Sequence, residues 1–312
     1  MNDLELIKTN ELQSVNLNKE LFYRWIDYLD ATPKTVETYT RAIRQFTHFL
    51  QAHNISQPKR EDILAYKEEL SKDRKATTVN AYLMAVKQFF KWTDLEGFYP
   101  DVTKNIKSKK IEEGFKKDYL TTAQVKKLLH SVDCSSLGGL RDYAILILMI
   151  TTGLRTIEIV RANVEDLRTV GDFRALFIQG KGKTEKTAYI KITPPVEEAI
   201  GAYLKARGSV EGKQPLFTSN SNRDNNSRLT TRSVSRIAKN HLNEAELISD
   251  RLTAHSLRHT TATLNLLAGA SVEETQQLLR HSNINTTLIY SHALERAKNN
   301  SEQRITDFIF SN

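Results

Sequence analysis

The sequence predicts a mainly α-helical protein of two domains, with a small β-sheet or hairpin in the second domain. Its 312 residues are long for one compact domain and comfortable for two. Between residues 18 and 105, apolar residues recur at helical spacing and no strand-like alternation is seen. Residues 172–192 break the helical pattern and alternate polar with apolar side chains, as a strand does. We therefore expect helices alone in the first domain and a mixed structure in the second.

Four helices are predicted in the first domain, which we place at residues 18–107 after a tail at residues 1–17. Thr32 is expected to cap the second helix with Pro33 as its first residue, and Thr78 leads into the fourth helix. The apolar positions that define the four helices are Leu21, Phe22, Trp25, Ile26 and Leu29; Tyr39, Ala42, Ile43, Phe46 and Leu50; Ile63, Leu64, Tyr66 and Leu70; and Ala81, Val86, Phe89, Phe90 and Trp92. A small all-helical domain is the simplest interpretation.

A lysine-rich stretch with few large apolar residues follows this domain. We interpret residues 108–118 as a basic linker. Two functions fit it about equally: contact with a phosphate backbone, or a solvated joint that proteases can reach. The lysines in and beside the stretch are Lys104, Lys107, Lys109, Lys110, Lys116 and Lys117.

The second domain, residues 119–312, is predicted to have helices around one buried segment. Residues 140–150 are apolar almost all round, which is typical of a central helix. Ser271 with Glu274 is expected to form a capping box. The other helical faces are Val125, Leu128 and Leu129 after Thr121; Val196, Ala199, Ile200, Tyr203 and Leu204 after Pro194 and Pro195; Val234, Ile237 and Leu242 after Thr231; Leu278 and Leu279; and Ile305, Phe308 and Ile309.

One β-hairpin is predicted within the second domain. Residues 175–179 and 187–192 are its expected strands, and residues 180–183, with the sequence Gly-Lys-Gly-Lys, are its turn. A polar loop is expected at residues 219–226. The hairpin places a lysine at an exposed tip.

Composition excludes several classes of protein. The formal charge of +8 fits a phosphate-rich partner, although solvated lysines alone would produce it. The single cysteine, Cys134, excludes an intrachain disulfide and a metal site built from several cysteines. The longest charge-free apolar stretch, residues 143–154, is shorter than the roughly 20 residues of a membrane span. Residues 1–18 lack the apolar core of a secretion signal, so we expect a cytoplasmic protein without a membrane partner.

Four separated segments carry the residues with the most chemical interest. They are residues 152–158 (Thr-Gly-Leu-Arg-Thr-Ile-Glu), 180–182 (Gly-Lys-Gly), 255–259 (His-Ser-Leu-Arg-His) and 279–290, which begins Leu-Arg-His and ends in tyrosine. Taken singly, each has an ordinary explanation. These are a helix-end cation for Arg155, a turn lysine for Lys181, a structural pair on one helix face for His255 and Arg258, and a packing residue for Tyr290.

A zinc site is a further interpretation of the third segment. His255 and His259 lie four residues apart, as in zinc-binding helices. However, position 256 is not glutamate and no cysteine is nearby. We therefore predict no metal here and expect His259 to pack or to support its neighbours.

Together, the four segments suit the cleavage of a phosphodiester without metal. Negative charge grows on the nonbridging oxygens, and two planar arginines can clamp them. A tyrosine hydroxyl, with an ordinary pKa of about 10, needs a base or cationic surroundings to act as the nucleophile. A lysine on a hairpin tip can protonate the leaving oxygen, and imidazoles can serve as base and hydrogen-bond donor.

In these residues the chain resembles the tyrosine recombinase, or phage-type integrase, family from about Asn18 to its C-terminus. The matches, in the family's order, are Arg155 with Glu158 following, Lys181 in Gly-Lys-Gly, His255 and Arg258 in His-Ser-Leu-Arg-His, His281 after Leu-Leu-Arg, and Tyr290 nine residues later. The resemblance implies two lobes that clamp duplex DNA. One is an all-helical, SAM-like core-binding domain and the other a mixed α+β catalytic domain.

The resemblance also implies the site residues and their roles. The roles are nucleophile for Tyr290, clamps on the nonbridging oxygens for Arg155 and Arg258, proton donor to the leaving 5′ oxygen for Lys181 with Lys183 as the alternative, proton acceptor for His255, hydrogen-bond donor to the phosphate for His281, and support of neighbouring backbone for Glu158. The product is a 3′-phosphotyrosine, and no metal, cofactor or ATP is implied.

Within the family, the chain resembles the simple two-domain members. Residues 1–17 are too short for an arm-site-binding domain. Xer recombinases, gene-cassette integrases and mobile-element integrases share this organisation. Xer proteins usually carry glycine where this chain has Arg280, and Thr151–Thr152 and Thr156–Ile157 also depart from the usual Xer sequence. We therefore favour an integrase of a mobile element, with Xer-type resolution of chromosome or plasmid dimers as the alternative.

The partners implied are paired double-stranded DNA sites and further copies of the chain. A monomer in solution is expected to become a homo-tetramer on DNA and to act through a Holliday junction. Accessory proteins that bend DNA or set direction are also implied. The apolar face of the last helix would dock on the protein's own core or on a neighbour. Rival functions are a type IB topoisomerase, which reseals without exchange, and a DNA-binding regulator without catalysis.

Overall fold

The computed structural model describes residues 19–111, 118–180, 182–208, 210–220 and 226–310. The chain divides into two compact units, residues 1–113 and 114–312. Each unit has its own hydrophobic core. The structure confirms the predicted mainly helical fold with a small sheet. The boundaries proposed above for the tail, the linker and the two domains stay predictions.

The first unit contains the four predicted helices. They are α1 (Lys19–Tyr28), α2 (Pro33–Ala52), α3 (Arg60–Asp73) and α4 (Ala76–Leu95). The Thr32 hydroxyl accepts a hydrogen bond from the backbone N–H of Thr35 at 3.3 Å, and Pro33 opens α2 as predicted.

Aromatic side chains fill the core of this unit. The ring of Phe46 lies 4.9 Å from the ring of Tyr66 and 6.0 Å from that of Phe90, measured between centroids. Two predicted core positions are wrong, because Leu64 and Ala81 face solvent. Leu64 directly follows the buried Ile63, and Ala81 lies two residues from the buried Val79 and Leu83. One residue turns a helix by about 100° and two by about 200°, so both side chains point away from the buried face.

The chain after α4 is bonded to its own unit as far as residue 109. Lys67 Nζ donates to the backbone oxygen of Lys107 at 2.7 Å. The Asn80 amide donates to the oxygen of Lys109 at 2.8 Å and accepts from its N–H at 2.7 Å. The first lysines of the basic stretch thus follow the surface of α3 and α4. Residues 112–117, within the predicted linker, lie outside the described residues.

The second unit surrounds one apolar helix. Its elements are α5 (Thr122–His130), α6 (Leu137–Thr152), α7 (Thr156–Arg161), a 3₁₀ turn (Val164–Asp166), β1 (Leu167–Val170), β2 (Phe173–Ile178), β3 (Ala188–Ile192), α8 (Pro194–Arg207), α9 (Thr231–Glu244), α10 (Ala254–Leu267), α11 (Val272–Leu279), α12 (Asn285–Lys298) and α13 (Ser301–Phe310). Residues 144–150 of α6 are all buried, which confirms the predicted central helix. The predicted capping box of Ser271 and Glu274 is also confirmed.

The predicted hairpin is part of a three-stranded antiparallel sheet in the order β1-β2-β3. Leu176 of β2 pairs with Leu167 on one side and with Ile190 on the other. The sequence pattern does not predict β1, because Arg168 and Thr169 are adjacent exposed residues and interrupt the alternation. Within the described residues, none of the helices has both the length and the apolar character needed to cross a membrane.

The last helix leaves apolar side chains in solvent. Ile305, Phe308 and Ile309 of α13 are 59, 89 and 63% exposed. None of the described residues of α13 is buried. This face is therefore not docked on the protein's own core.

A histidine joins α9 to α6 and makes stability depend on pH. His241 Nε2 lies 3.2 Å from Asp142 Oδ2, and Nδ1 lies 2.7 Å from Glu244. The hydrogen bond to Asp142, with the charge of Glu244, raises the pKa of His241. Protonated His241 therefore stabilises the fold below the unfolded pKa of about 6.5, and this contribution is lost as pH rises through the folded pKa.

We expect His241→Gln to narrow the difference between the melting temperatures at about pH 6 and about pH 9. The variant should lose most stability on the acidic side, where the wild-type imidazole is charged. Thermal melting at both pH values, for wild type and variant, measures the change. An equal loss at both pH values would show that His241 acts only by packing.

Candidate active site

The turn between α6 and α7 positions Arg155. Gly153 ends α6 in the left-handed conformation, with φ of +62°. Arg155 then caps α7 in an extended conformation, and its backbone N–H donates to Glu158 Oε2 at 2.8 Å. This confirms the predicted support of the backbone by Glu158. The turn therefore fixes the main chain that carries Arg155.

Glu158 also binds two guanidinium groups. Its side chain is fully buried. Oε1 accepts from Arg155 Nη1 at 3.0 Å, and Oε2 accepts from Arg280 Nη2 at 3.1 Å. The pairing of Arg280 with this carboxylate is not foreseen from sequence, because the two residues lie in distant segments.

Arg258 holds the ends of two helices together. It lies on α10 and is 2% exposed. One Nη donates to the backbone oxygen of Gly153 and the other to that of Leu279. Burial, with the charges of Arg155 and Arg280, lowers the pKa of Arg258 to about 9. The guanidinium is therefore still protonated at neutral pH.

His281 follows α11 and lies beside the arginines. Its Nδ1 is 2.8 Å from Thr287 Oγ1, which fixes the ring. Burial lowers the pKa of His281 to about 4, with Arg258 as the next contribution. The imidazole is therefore neutral at pH 7.

Tyr290 is buried on α12 and is 4% exposed. Burial raises the pKa of its hydroxyl to about 12, and the charge of Arg258 opposes that rise. Its ring lies 5.2 Å from the ring of His259, which in turn lies 4.7 Å from the ring of His255. His259 thus packs between the two, as predicted.

The structure brings five of the six predicted site residues into one cluster. The charges of Arg155 and Tyr290 affect the pKa of Arg258, and the charges of Arg258 and His255 affect the pKa of His281. Lys181, the sixth, lies outside the described residues. The oxygen of its neighbour Gly180 accepts from Arg161 Nη1 at 3.2 Å, so α7 binds the base of that turn. In the described ranges, no group of three or more His, Cys, Asp or Glu side chains is placed to hold a metal ion.

Sequence reasoning misses Gly153, Arg280 and Thr287 as contributors to this cluster. Gly153 is the clearest case, because a Cβ there would lie 2.5 Å from Leu279 Cδ2. The signal available was a glycine directly after an apolar helix, which indicates a left-handed C-cap. Arg280 also ends a helix in the left-handed region, with φ of +55°.

We expect Gly153→Ala to destabilise the protein by about 2–4 kcal/mol, because backbone strain and the clash with Leu279 add. Gly171→Ala is the matched control. Gly171 has φ of +58° and nothing within 4 Å of an added Cβ. Gly171→Ala should therefore lose only about 1 kcal/mol of stability, from backbone strain alone. Urea unfolding measures both, and equal losses would contradict the clash.

Two sequence models of known families match the chain, one in each unit. Residues 118–296 match the sequence model of the phage integrase family, and residues 20–95 match that of the phage integrase N-terminal SAM-like domain. A tyrosine recombinase XerC of Herpetosiphon aurantiacus is 34% identical over 273 residues, which cover 84% of this chain and 85% of that protein. A XerC of Caldanaerobacter subterraneus subsp. tengcongensis is 38% identical over 177 residues, 56% of this chain and 47% of that protein.

The fold agrees with a solved structure of the same kind. A lambda integrase tetramer bound to a Holliday junction superposes with a TM-score of 0.68 and 17% sequence identity, over 89% of this chain and 78% of that chain. The first unit thus has the SAM-like fold and the second the integrase fold. The chain belongs to the phage integrase family and is a tyrosine recombinase, an enzyme that cleaves and rejoins DNA.

Proposed function

We propose that the cluster around Arg258 is the recombination site, with Tyr290 as the nucleophile. The supporting observation is the convergence of Arg155, Arg258 and His281 with a buried tyrosine. Tyr290 attacks the scissile phosphorus, and the bond to the 5′ oxygen breaks. A 3′-phosphotyrosine and a free 5′ hydroxyl result. The reverse reaction, with a 5′ hydroxyl from another strand, restores the DNA without ATP.

The arginines stabilise the charge that develops on the phosphate. Arg155 and Arg258 both carry planar guanidinium groups with several N–H donors, so both can donate to nonbridging oxygens. His281, neutral in its buried position, donates a further hydrogen bond. Fixed donors of this kind each contribute about 10²–10³ in rate.

Two proton transfers complete the reaction. The Tyr290 hydroxyl, with a pKa near 12, keeps its proton in the DNA-free protein. His255 accepts this proton as the oxygen attacks. Lys181, with Lys183 as the alternative, protonates the leaving 5′ oxygen. The phenol is thus inert until a phosphate reaches the cluster.

A nicked suicide DNA tests this mechanism. After cleavage, the short fragment between the cleavage site and the nick, which carries the free 5′ hydroxyl, is released. Resealing is then prevented, and the protein stays attached to the 3′ end. We expect a denaturation-resistant protein–DNA adduct in the presence of EDTA, with the nucleotide mapped to Tyr290 by peptide mass analysis. Dependence on magnesium, or a cleaved strand without attached protein, would refute the assignment.

We propose paired double-stranded DNA sites and a tetramer of this chain as the active assembly. The lambda integrase structure named above is a tetramer on a Holliday junction. The exposed apolar face of α13 supplies a surface for a second copy. We favour integration of a mobile element, with Xer-type dimer resolution as the alternative that the XerC relatives suggest. DNA bending or directionality proteins would assist.

Removal of residues 301–312 should therefore abolish the paired-site complex and strand exchange. Cleavage of a single suicide site should continue, because no residue of the cluster is removed. Native gel electrophoresis of the complexes and the adduct yield measure the two steps. Normal pairing without α13 would show that this face has another use.

A further inference from the structure

Arg280 occupies a backbone position that suits glycine. It ends α11 with φ of +55° and ψ of +46°, in the left-handed region. A side chain at this position strains the backbone. The contacts of the guanidinium offset that strain, so their targets indicate what the residue does.

Those contacts fix the Arg280 side chain inside the cluster. Nη2 donates to Glu158 Oε2 at 3.1 Å, and Nη1 donates to the oxygen of Leu278 at 2.7 Å. Nε is buried and has no acceptor among the described residues. Burial lowers the pKa of Arg280, while Glu158 opposes that shift.

Glu158 is therefore shared between two arginines. Oε1 binds Arg155 Nη1, whereas Oε2 binds both the Arg155 N–H and Arg280. The Arg155 side chain is 28% exposed, but the carboxylate is fully buried. A buried carboxylate with one guanidinium partner would neutralise that partner most completely. A second guanidinium offsets part of the negative charge of the carboxylate, so less of that charge opposes the positive charge of Arg155.

We propose that Arg280 is a positioning residue for DNA cleavage: by holding Glu158, it fixes Arg155 and leaves its positive charge available to the phosphate. The inference rests on the proposed function in taking Arg155 as a phosphate clamp. Arg280 itself does not touch the substrate in this scheme. It acts through the carboxylate.

The test is Arg280→Gly with the complete protein on suicide DNA. Glycine relieves the backbone strain but loses the contacts with Glu158 and Leu278, so the two effects oppose each other and the protein should remain folded, as thermal melting checks. We expect the single-turnover rate of adduct formation to fall about tenfold to a hundredfold, with DNA affinity nearly unchanged. Arg280→Lys should recover part of the rate, because an ammonium can still bind Glu158. Arg174→Gln, which removes a positive charge outside the cluster, should cleave normally.

A double-mutant cycle with Glu158→Gln separates positioning from direct contact. If Arg280 acts through Glu158, the two losses will not add in the double variant. Full additivity, or a wild-type rate in Arg280→Gly, would overturn the proposal while leaving Tyr290 as the nucleophile. If the wild-type protein itself formed no adduct, the proposed function would fail first, and the inference with it.

Discussion

Tyr290→Phe is expected to abolish the covalent protein–DNA adduct. The variant lacks only the oxygen that we propose as the nucleophile, so the rate should fall by more than about 10⁴-fold. DNA binding should survive, because the side chain is 4% exposed and contributes little surface. A suicide substrate resolved on a denaturing gel measures the adduct, and a band shift measures binding.

Tyr203→Phe is the matched control for this variant. Tyr203 is also fully buried in the second unit, and its hydroxyl lies 3.1 Å from Thr218 Oγ1. Its loss should cost about 1 kcal/mol of stability and leave cleavage intact. An adduct of normal yield in Tyr290→Phe would mean that another residue attacks the phosphate.

Arg258→Lys is expected to lower the cleavage rate by about 10²–10³-fold. A lysine keeps the charge but has one donor head, whereas Arg258 bonds Gly153 and Leu279 through separate nitrogen atoms. One buried carbonyl would lose its partner, at a cost of about 1–3 kcal/mol. Single-turnover cleavage at saturating DNA and thermal melting measure the two effects.

Arg174→Lys provides the comparison for Arg258→Lys. Arg174 lies on β2, is partly exposed and pairs with Glu197 at 3.0 Å. An exposed pair of this kind contributes roughly 0–1 kcal/mol, so this variant should be stable and active. Wild-type cleavage by Arg258→Lys would show that the planar fork is not required at this position.

Local features of the fold could be predicted from the sequence. The caps at Thr32 and Ser271 follow from side chains within three residues of their partners. β1 could not be predicted, because its four residues depend on pairing with β2. Leu64 faces solvent because α3 has more apolar residues than its buried face accommodates.

Candidate site residues could be named from the sequence, but the contacts between them could not be predicted. Motif order pointed to Arg155, Arg258 and Tyr290, since the reaction needs those chemical types. No sequence pattern shows that Arg280 reaches Glu158, because that contact joins positions 122 residues apart. The residue types in a sequence indicate which chemistry a site can perform. Which charged groups contact one another depends on the tertiary fold.

The two oxygens that hold Arg258 belong to Gly153 and Leu279, and Tyr290 follows both of them along the chain. During translation, the two hydrogen bonds of Arg258 therefore cannot both form until α11 has left the ribosome, and Tyr290 emerges later still. A polypeptide that ends before residue 290 therefore lacks the tyrosine that we propose as the nucleophile.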